Sequence, residues 1–224
     1  MTTLNTILNQ RFIPVFHNSN PEKAKKVLQA CYDGGCRTVE FTNRGEMAIE
    51  VFRELESEAS RNMPDLILGA GSVSDEACAG LFMHYGANYL VSQYFDEKIA
   101  VVCNKRKIPY LPGCATLSEI HAAETAGVEI CKLFPSVISG GPAFVEAILG
   151  PSPWTSIMPT HGVLPEEEDL RKWFDAGVSC VGMGTKLIPA EIPDDYDYSL
   201  IIVKIRNVIA ILNKIFQGNS KHVC

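Results

Sequence analysis

Eight short β-rich runs, each followed by a segment with helical apolar spacing, occupy this chain from end to end. The runs are residues 11–16, 38–43, 66–72, 88–93, 108–114, 129–135, 156–162 and 180–184. Regular strand–helix alternation implies parallel strands joined by crossover helices. Eight such units, without a composition break or a long linker, favour a closed (β/α)8 TIM barrel over an open sheet. At 224 residues the chain is long enough for one sizeable core, so residues 1–224 are expected to form a single α/β barrel domain.

The helix starts agree with this reading. Asn20 stands before Pro21 and Glu22, a capping side chain followed by proline at the first helical position. Thr116 and Glu119 have the spacing of a capping box. Asp75-Glu76 and Glu166 to Glu168 put acids in first turns, where the helix dipole favours them. The pairs Gly34-Gly35 and Gly140-Gly141 mark turns.

Charge and patterning remove several function classes. Net charge is −6 and the pI is near 5.4, with no basic face evident, so nucleic acid is not an expected partner. An acidic chain that binds anions does so with local donors such as helix N-termini. The longest apolar region, residues 200–216, is interrupted by Lys204, Arg206, Asn207 and Lys214. It reads as an amphipathic helix, and no membrane association is expected. The N-terminus lacks the basic-then-apolar pattern of a signal peptide. The eight cysteines (Cys31, Cys36, Cys78, Cys103, Cys114, Cys131, Cys180 and Cys224) form no CxxC pair. Several sit in apolar runs, so a reduced, cytoplasmic protein is expected.

In a barrel, sites form where strands end and the following loops begin. Those ends read FTNR, GAGS, SQYF, PGCAT, KLFP, PTHG and GMGT. They are richer in polar residues and glycine than the opposite ends. In the sixth run Lys132 shares a face with Ile130 and Phe134, because strand side chains alternate. If that face is inward, desolvation lowers the amine's pKa and makes it a nucleophile for carbonyls. If it is outward, the lysine snorkels past a helix to water. Alternation leaves both open. In the second run Val39 and Phe41 can meet the helices, which turns Thr38, Glu40 and Thr42 inward. A carboxylate there is costly unless paired or used. It can bridge to Arg44 or Lys132, move protons beside an amine, or do both.

The GAGS, PTHG and GMGT ends offer backbone amides to an anion. The last two close the seventh and eighth runs, where many barrels bind phosphate. Glycine in a tight turn is the plainer use of each. Metal chemistry finds no support. His17, His84, His121, His161 and His222 form no HxH or HExxH spacing. Glu119, His121 and Glu124 on one predicted helix are the pattern of a solvated face. No GxSxG elbow, P-loop or GxGxxG after the first strand is present.

The segments GGCRTVEFTNR, LILGAGSV, GANYLVS, IPYLPGCATLSEI, VEICKLFPSVISGGPAFVEAILGP, SIMPTHGV and CVGMGTKLIP follow one another in a characteristic order and spacing. In this the chain resembles the 2-keto-3-deoxy-6-phosphogluconate (KDPG) aldolases, often grouped with 4-hydroxy-2-oxoglutarate (KHG) aldolases. The likeness runs from PVF near residue 14 to Pro189. It implies a class I aldehyde-lyase without metal or cofactor, with Lys132 attacking the C2 ketone. Glu40 would act through a water and take the C4 hydroxyl proton as the C3–C4 bond breaks. Arg44 and Ser72 would hold the carboxylate and carbonyl end, and Phe134 would line the site beside the lysine. Thr160, His161 and Gly162, with Gly184 and Thr185, would bind the phosphate of the aldehyde half. The products would be pyruvate and glyceraldehyde 3-phosphate, and the assembly a homotrimer.

The chain departs from that family at two places. Ser92-Gln93-Tyr94 stands where Ser-Pro is usual after the fourth run, and His161 where glycine is usual after the seventh; Ser72, where threonine is common, keeps the hydroxyl. The phosphorylated six-carbon acid, its galactonate epimer, 4-hydroxy-2-oxoglutarate and an unphosphorylated sugar acid therefore all stay open. Two other classes compete. A catalytically silent ligand-binding barrel would not need Lys132, Glu40 and Arg44 intact. A sugar-phosphate isomerase or epimerase would not need an inward lysine.

Overall fold

The computed structural model describes residues 2–219. His222 and Cys224 lie outside the described residues. Among the described residues nine strands are set between helices, with only β5 and β6 directly consecutive: β1 (Phe12–Phe16), β2 (Thr38–Thr42), β3 (Ile67–Gly71), β4 (Tyr89–Val91), β5 (Tyr110–Leu111), β6 (Gly113–Cys114), β7 (Cys131–Leu133), β8 (Ile157–Pro159) and β9 (Val181–Met183). All pair in parallel. One ladder runs β5-β4-β3-β2-β1-β9 and a second runs β6-β7-β8. The result is an α/β fold with a curled parallel sheet.

All eight expected strands are present. The fifth, expected as one run over 108–114, is divided at Pro112. Proline has no N–H to give a ladder, although its carbonyl still accepts from the Lys132 N–H at 2.9 Å. The two ladders also meet between β8 and β9, at the parallel bridge of Thr160 with Gly182 and where the Ser179 N–H donates to the Ile157 carbonyl at 3.0 Å.

The sheet separates two apolar clusters. The larger lies between strands and helices and includes Val39, Phe41, Cys131, Leu133 and Trp173. The smaller lies on the concave side and contains Ile7, Ile13, Tyr89, Val91, Leu111, Ile130, Met158 and Cys180. Ile7 belongs to a helix, Thr3–Gln10, that the strand–helix reading did not include. Its start is capped by Thr2, which accepts from the Asn5 N–H. Tyr89 fits the interior because Gly69 lies opposite: a Cβ there would fall 2.2 Å from the ring.

The expected caps form. Asn20 accepts from the Glu22 and Lys23 N–H groups, and Thr116 with Glu119 closes a full capping box. Glu119 is thereby spent on the helix end, where it accepts from the Ala115 and Thr116 N–H groups. The apolar region at 200–216 is one helix, Ser199–Asn219, with Ile201, Ile205, Val208, Leu212 and Ile215 buried along one face. Each such side chain contributes roughly 1.5–3 kcal/mol on burial. Gly34 lets this helix approach, since a Cβ there would lie 2.7 Å from Ile205. No helix among the described residues is long and apolar enough to cross a membrane. The seven cysteines among the described residues are free, and all but Cys78 are buried.

Candidate active site

The strands place their C-terminal ends around a cavity of about 170 Å³. Glu40 and Thr42 reach it from β2, Lys132 from β7 and Val15 from β1. Asn43, Arg44, Ser72, Gln93, Phe134 and Thr160 reach it from the loops that follow. Six of the residues singled out from sequence thus share one small space: Glu40, Arg44, Ser72, Lys132, Phe134 and Thr160. Gly184 and Thr185 line a second cavity of about 160 Å³, which shares Val15, Thr42 and Arg44 with the first. His161 and Gly162 line neither.

Lys132 is 5% exposed. Its neighbour on the same face, Ile130, belongs to the concave cluster, while Cys131 and Leu133 face the helices. The amine therefore points inward, and the snorkelling alternative does not hold. Nζ donates to the Ser92 carbonyl at 3.1 Å and sits 4.7 Å from the centre of the Phe134 ring. Burial lowers its pKa; the Glu40 carboxylate opposes that shift, and the Arg44 guanidinium adds to it.

Glu40 is 2% exposed. Burial raises its pKa, while Lys132 and Arg44 pull it back down. The direct salt bridge considered above is not formed. Oε2 is buried with no hydrogen-bond partner, and the cations act on it only through their field. A buried carboxylate oxygen that borders the cavity can take a hydrogen bond from a substrate hydroxyl or a water there, which offsets its desolvation. Gly71 makes the room. A Cβ there would fall 1.8 Å from Oε1, so the glycines of the GAGS end accommodate Tyr89 and Glu40. Ser72 turns the chain off β3 with φ 59°, a conformation strained for a β-branched residue.

At the other loops, Thr160 Oγ1 is a second buried oxygen without a partner. His161 has φ 77° and is exposed, its ring edge-on to Phe134 at 6.1 Å. Its carbonyl accepts from Ser136 Oγ at 2.7 Å. Gly162 packs on Val137, which a Cβ would meet at 2.4 Å. Sequence reasoning passed over Val15, Asn43 and the Ser92 carbonyl. The FTNR and SQYF ends pointed to the last two loops, but a backbone oxygen carries no sequence signal.

A buried amine with a depressed pKa, facing a buried acid with a raised one at the ends of parallel strands, is the equipment of an amine-dependent carbon–carbon lyase. Comparison with known proteins narrows the class. The KDPG and KHG aldolase family model matches residues 4–203. The 2-dehydro-3-deoxy-phosphogluconate aldolase of Dickeya dadantii is 31% identical over 202 residues, covering 88% of this chain and 90% of its own. The KHG/KDPG aldolase of Escherichia coli K12 is 29% identical over 198 residues, covering 88% and 90%. A structure of Legionella pneumophila KDPG aldolase, with pyruvate captured as a covalent carbinolamine, is 27% identical. It superposes with a TM-score of 0.82, covering 91% of this chain and 96% of that one. The chain belongs to the KDPG and KHG aldolase family and is an aldehyde-lyase.

Proposed function

We propose that this chain cleaves a 2-keto-3-deoxy-6-phospho sugar acid to pyruvate and glyceraldehyde 3-phosphate through a Schiff base on Lys132. The observation that carries the reading is the inward amine of Lys132 sharing one cavity with Glu40. The neutral amine adds to the C2 ketone, the Glu40 carboxyl gives the proton with which water leaves, and an iminium forms beside the Glu40 carboxylate. Glu40 takes the C4 hydroxyl proton, directly or through a water. The C3–C4 electrons flow into the iminium as an enamine, and the aldehyde departs. Protonation at C3 and hydrolysis return the amine and release pyruvate. Arg44 supplies the positive charge for the substrate carboxylate, Ser72 a hydroxyl for the same end, and Phe134 an apolar wall. Thr160, Gly184 and Thr185 take the distal phosphate, the last two through the adjoining cavity.

The test is sodium borohydride reduction in the presence of pyruvate, followed by peptide mass mapping. The expected result is one covalent adduct on Lys132. An adduct elsewhere, or none, would sink the mechanism.

The family's second reading, a substrate without phosphate, is addressed by His161. This exposed side chain stands in the left-handed region beside Phe134 and crowds the loop whose amides would meet the anion. His161→Gly is expected to lower KM for the phosphorylated substrate severalfold, with kcat for short 2-oxo acids lacking phosphate unchanged. Steady-state kinetics on both substrates checks this. A fall in kcat for both, at constant KM, would instead put His161 in the chemistry.

We further infer that the two ladders complete one closed (β/α)8 barrel and that residues 1–224 form a single domain. The continuity of 110–114 across Pro112 and the Thr160–Gly182 bridge support this. A homotrimer is the proposed assembly, with Val137, Ile138 and Trp154 as exposed apolar side chains available to it. Seven free cysteines support a cytoplasmic setting.

A further inference from the structure

The loop after β4 supplies an acceptor to the nucleophile, and a buried hydroxyl cluster holds that loop in place. Ser92 and Tyr110 are both buried. Ser92 Oγ lies 2.5 Å from the Tyr94 carbonyl and 2.6 Å from the Tyr110 hydroxyl. The Tyr110 oxygen also lies 3.2 Å from the Tyr94 carbonyl and accepts from the Asp96 N–H at 3.3 Å. A carbonyl only accepts, and each hydroxyl has one proton to give. The two short contacts are satisfied together in one way: Ser92 donates to the Tyr94 carbonyl and Tyr110 donates to Ser92. One phenol thus ties Ser92, Tyr94 and Asp96. From below, the loop rests directly on strand backbone, since a Cβ at Gly113 would fall 1.9 Å from the Gln93 carbonyl oxygen. At its outer edge, the Tyr94 hydroxyl donates to the Ser74 carbonyl at 2.9 Å.

We propose that Tyr110 is a positioning residue for the reaction, fixing the loop so that the Ser92 carbonyl stays against the nitrogen of Lys132 through each step of imine chemistry. The proposal rests on Lys132 being the Schiff-base lysine. The neutral amine has two N–H bonds and one lone pair. With one N–H given to Ser92 at 3.1 Å, the attacking lone pair is left a restricted set of directions. When the N–C2 bond forms and the ketone π electrons move to oxygen, the nitrogen becomes positive. A carbonyl dipole on its N–H favours that charge. Proton transfer from nitrogen to oxygen gives the neutral carbinolamine; a further proton, given by the Glu40 carboxyl in the same cavity, takes the hydroxyl off as water and leaves an iminium with one N–H, for which the same carbonyl is the acceptor. The Ser92 carbonyl therefore touches a reacting atom, and Tyr110 acts through it. The charged groups that act on Lys132 are Glu40 and Arg44, from β2 and the loop after it, so the contribution of the 92–96 loop is separate from theirs.

The experiment compares wild type, Tyr110→Phe, Ser92→Ala and the double variant. It measures cleavage kcat, pyruvate-dependent borohydride trapping against pH, and thermal unfolding. Tyr110→Phe keeps the ring and removes one hydroxyl; Ser92→Ala keeps the carbonyl and removes the other end of the same bond. Each single variant is expected to lose on the order of tenfold in kcat, the scale of one hydrogen bond to a charged group. The fraction trapped at saturating pyruvate should fall. The acid limb of the trapping profile should move about one unit to lower pH, because the ammonium loses an acceptor that favoured it. The double variant should lose less than the sum of the two singles, because the Ser92–Tyr110 bond is removed by both. A lowered Tm with wild-type trapping and kcat, or fully additive losses, would overturn the proposal. Absence of trapping on Lys132 in the wild type would instead defeat the Schiff-base reading itself.

Discussion

Lys132→Arg is expected to abolish cleavage while preserving the positive charge. A guanidinium stays protonated at any accessible pH and has no lone pair to add to a ketone. Because the variant enlarges a buried side chain, Lys132→Met is the companion test, filling similar volume without charge. Both should fall to the background rate, a loss on the order of 10⁶-fold, the lower end of enzymatic accelerations. Lys132→Met should also be at least as stable as the wild type. Burial disfavours the wild-type ammonium, so the folded state binds fewer protons at this group than the unfolded chain does. That deficit costs stability below the folded pKa and fades as pH rises toward the ordinary lysine value. Removing the amine removes the cost. Turnover assays and thermal unfolding of the two variants check both halves. Measurable cleavage by either would show that the imine forms elsewhere.

Glu40→Gln is expected to fold and to lose about 10²–10⁴-fold in kcat, the usual contribution of a positioned general acid–base group. The amide keeps the shape that Gly71 accommodates and cannot take the C4 proton. Its effect on stability should depend on pH with a definite sign. Burial raises the Glu40 pKa, so between the ordinary glutamate value and the raised one the native state holds more protons than the unfolded chain. Wild-type stability therefore falls as pH rises through that window, and Glu40→Gln should remove this slope. Unfolding midpoints across mildly acidic to neutral pH measure it. Near-full activity in Glu40→Gln would reduce the carboxylate to a partner in packing and charge.

The strand positions were legible because buried parallel strands are apolar runs set off by glycine, proline and caps. The division at Pro112 was legible in principle, since proline cannot donate, but the residue sat inside an otherwise convincing run. The helix Thr3–Gln10 was not legible. It is short, and its role depends on Ile7 reaching a cluster built from β1, β4, β5, β8 and residues preceding β7 and β9. Side-chain alternation placed Lys132 with Ile130 and Phe134, yet only the tertiary structure shows that this face is the inner one. The glycines of GAGS read equally well as anion donors or turn residues. Their use, giving space to Tyr89 and Glu40, depends on side chains from other strands. The Ser92-Gln93-Tyr94 segment stood out as a departure at the substrate site. Its contact with Lys132 runs through a main-chain oxygen, which every residue has and no residue type announces.

Lys132 rides on the three-stranded ladder; Glu40 rides on the six-stranded one, and the loops bearing Arg44, Ser72 and Ser92 leave it. Between the ladders stand a proline on one side and, on the other, an isolated bridge and the Ser179–Ile157 backbone hydrogen bond. The distance from amine to acid is therefore not set within either ladder, where backbone bonding is regular, but by how the two are seated against each other. A small slip along that seam would leave every ladder hydrogen-bonded and most of the core packed, yet carry the nucleophile out of reach of its acid and its carbonyl acceptor. Catalysis is thus the most alignment-sensitive property of this molecule. A population weakened by heat or denaturant would stop turning over while its secondary structure still looked intact.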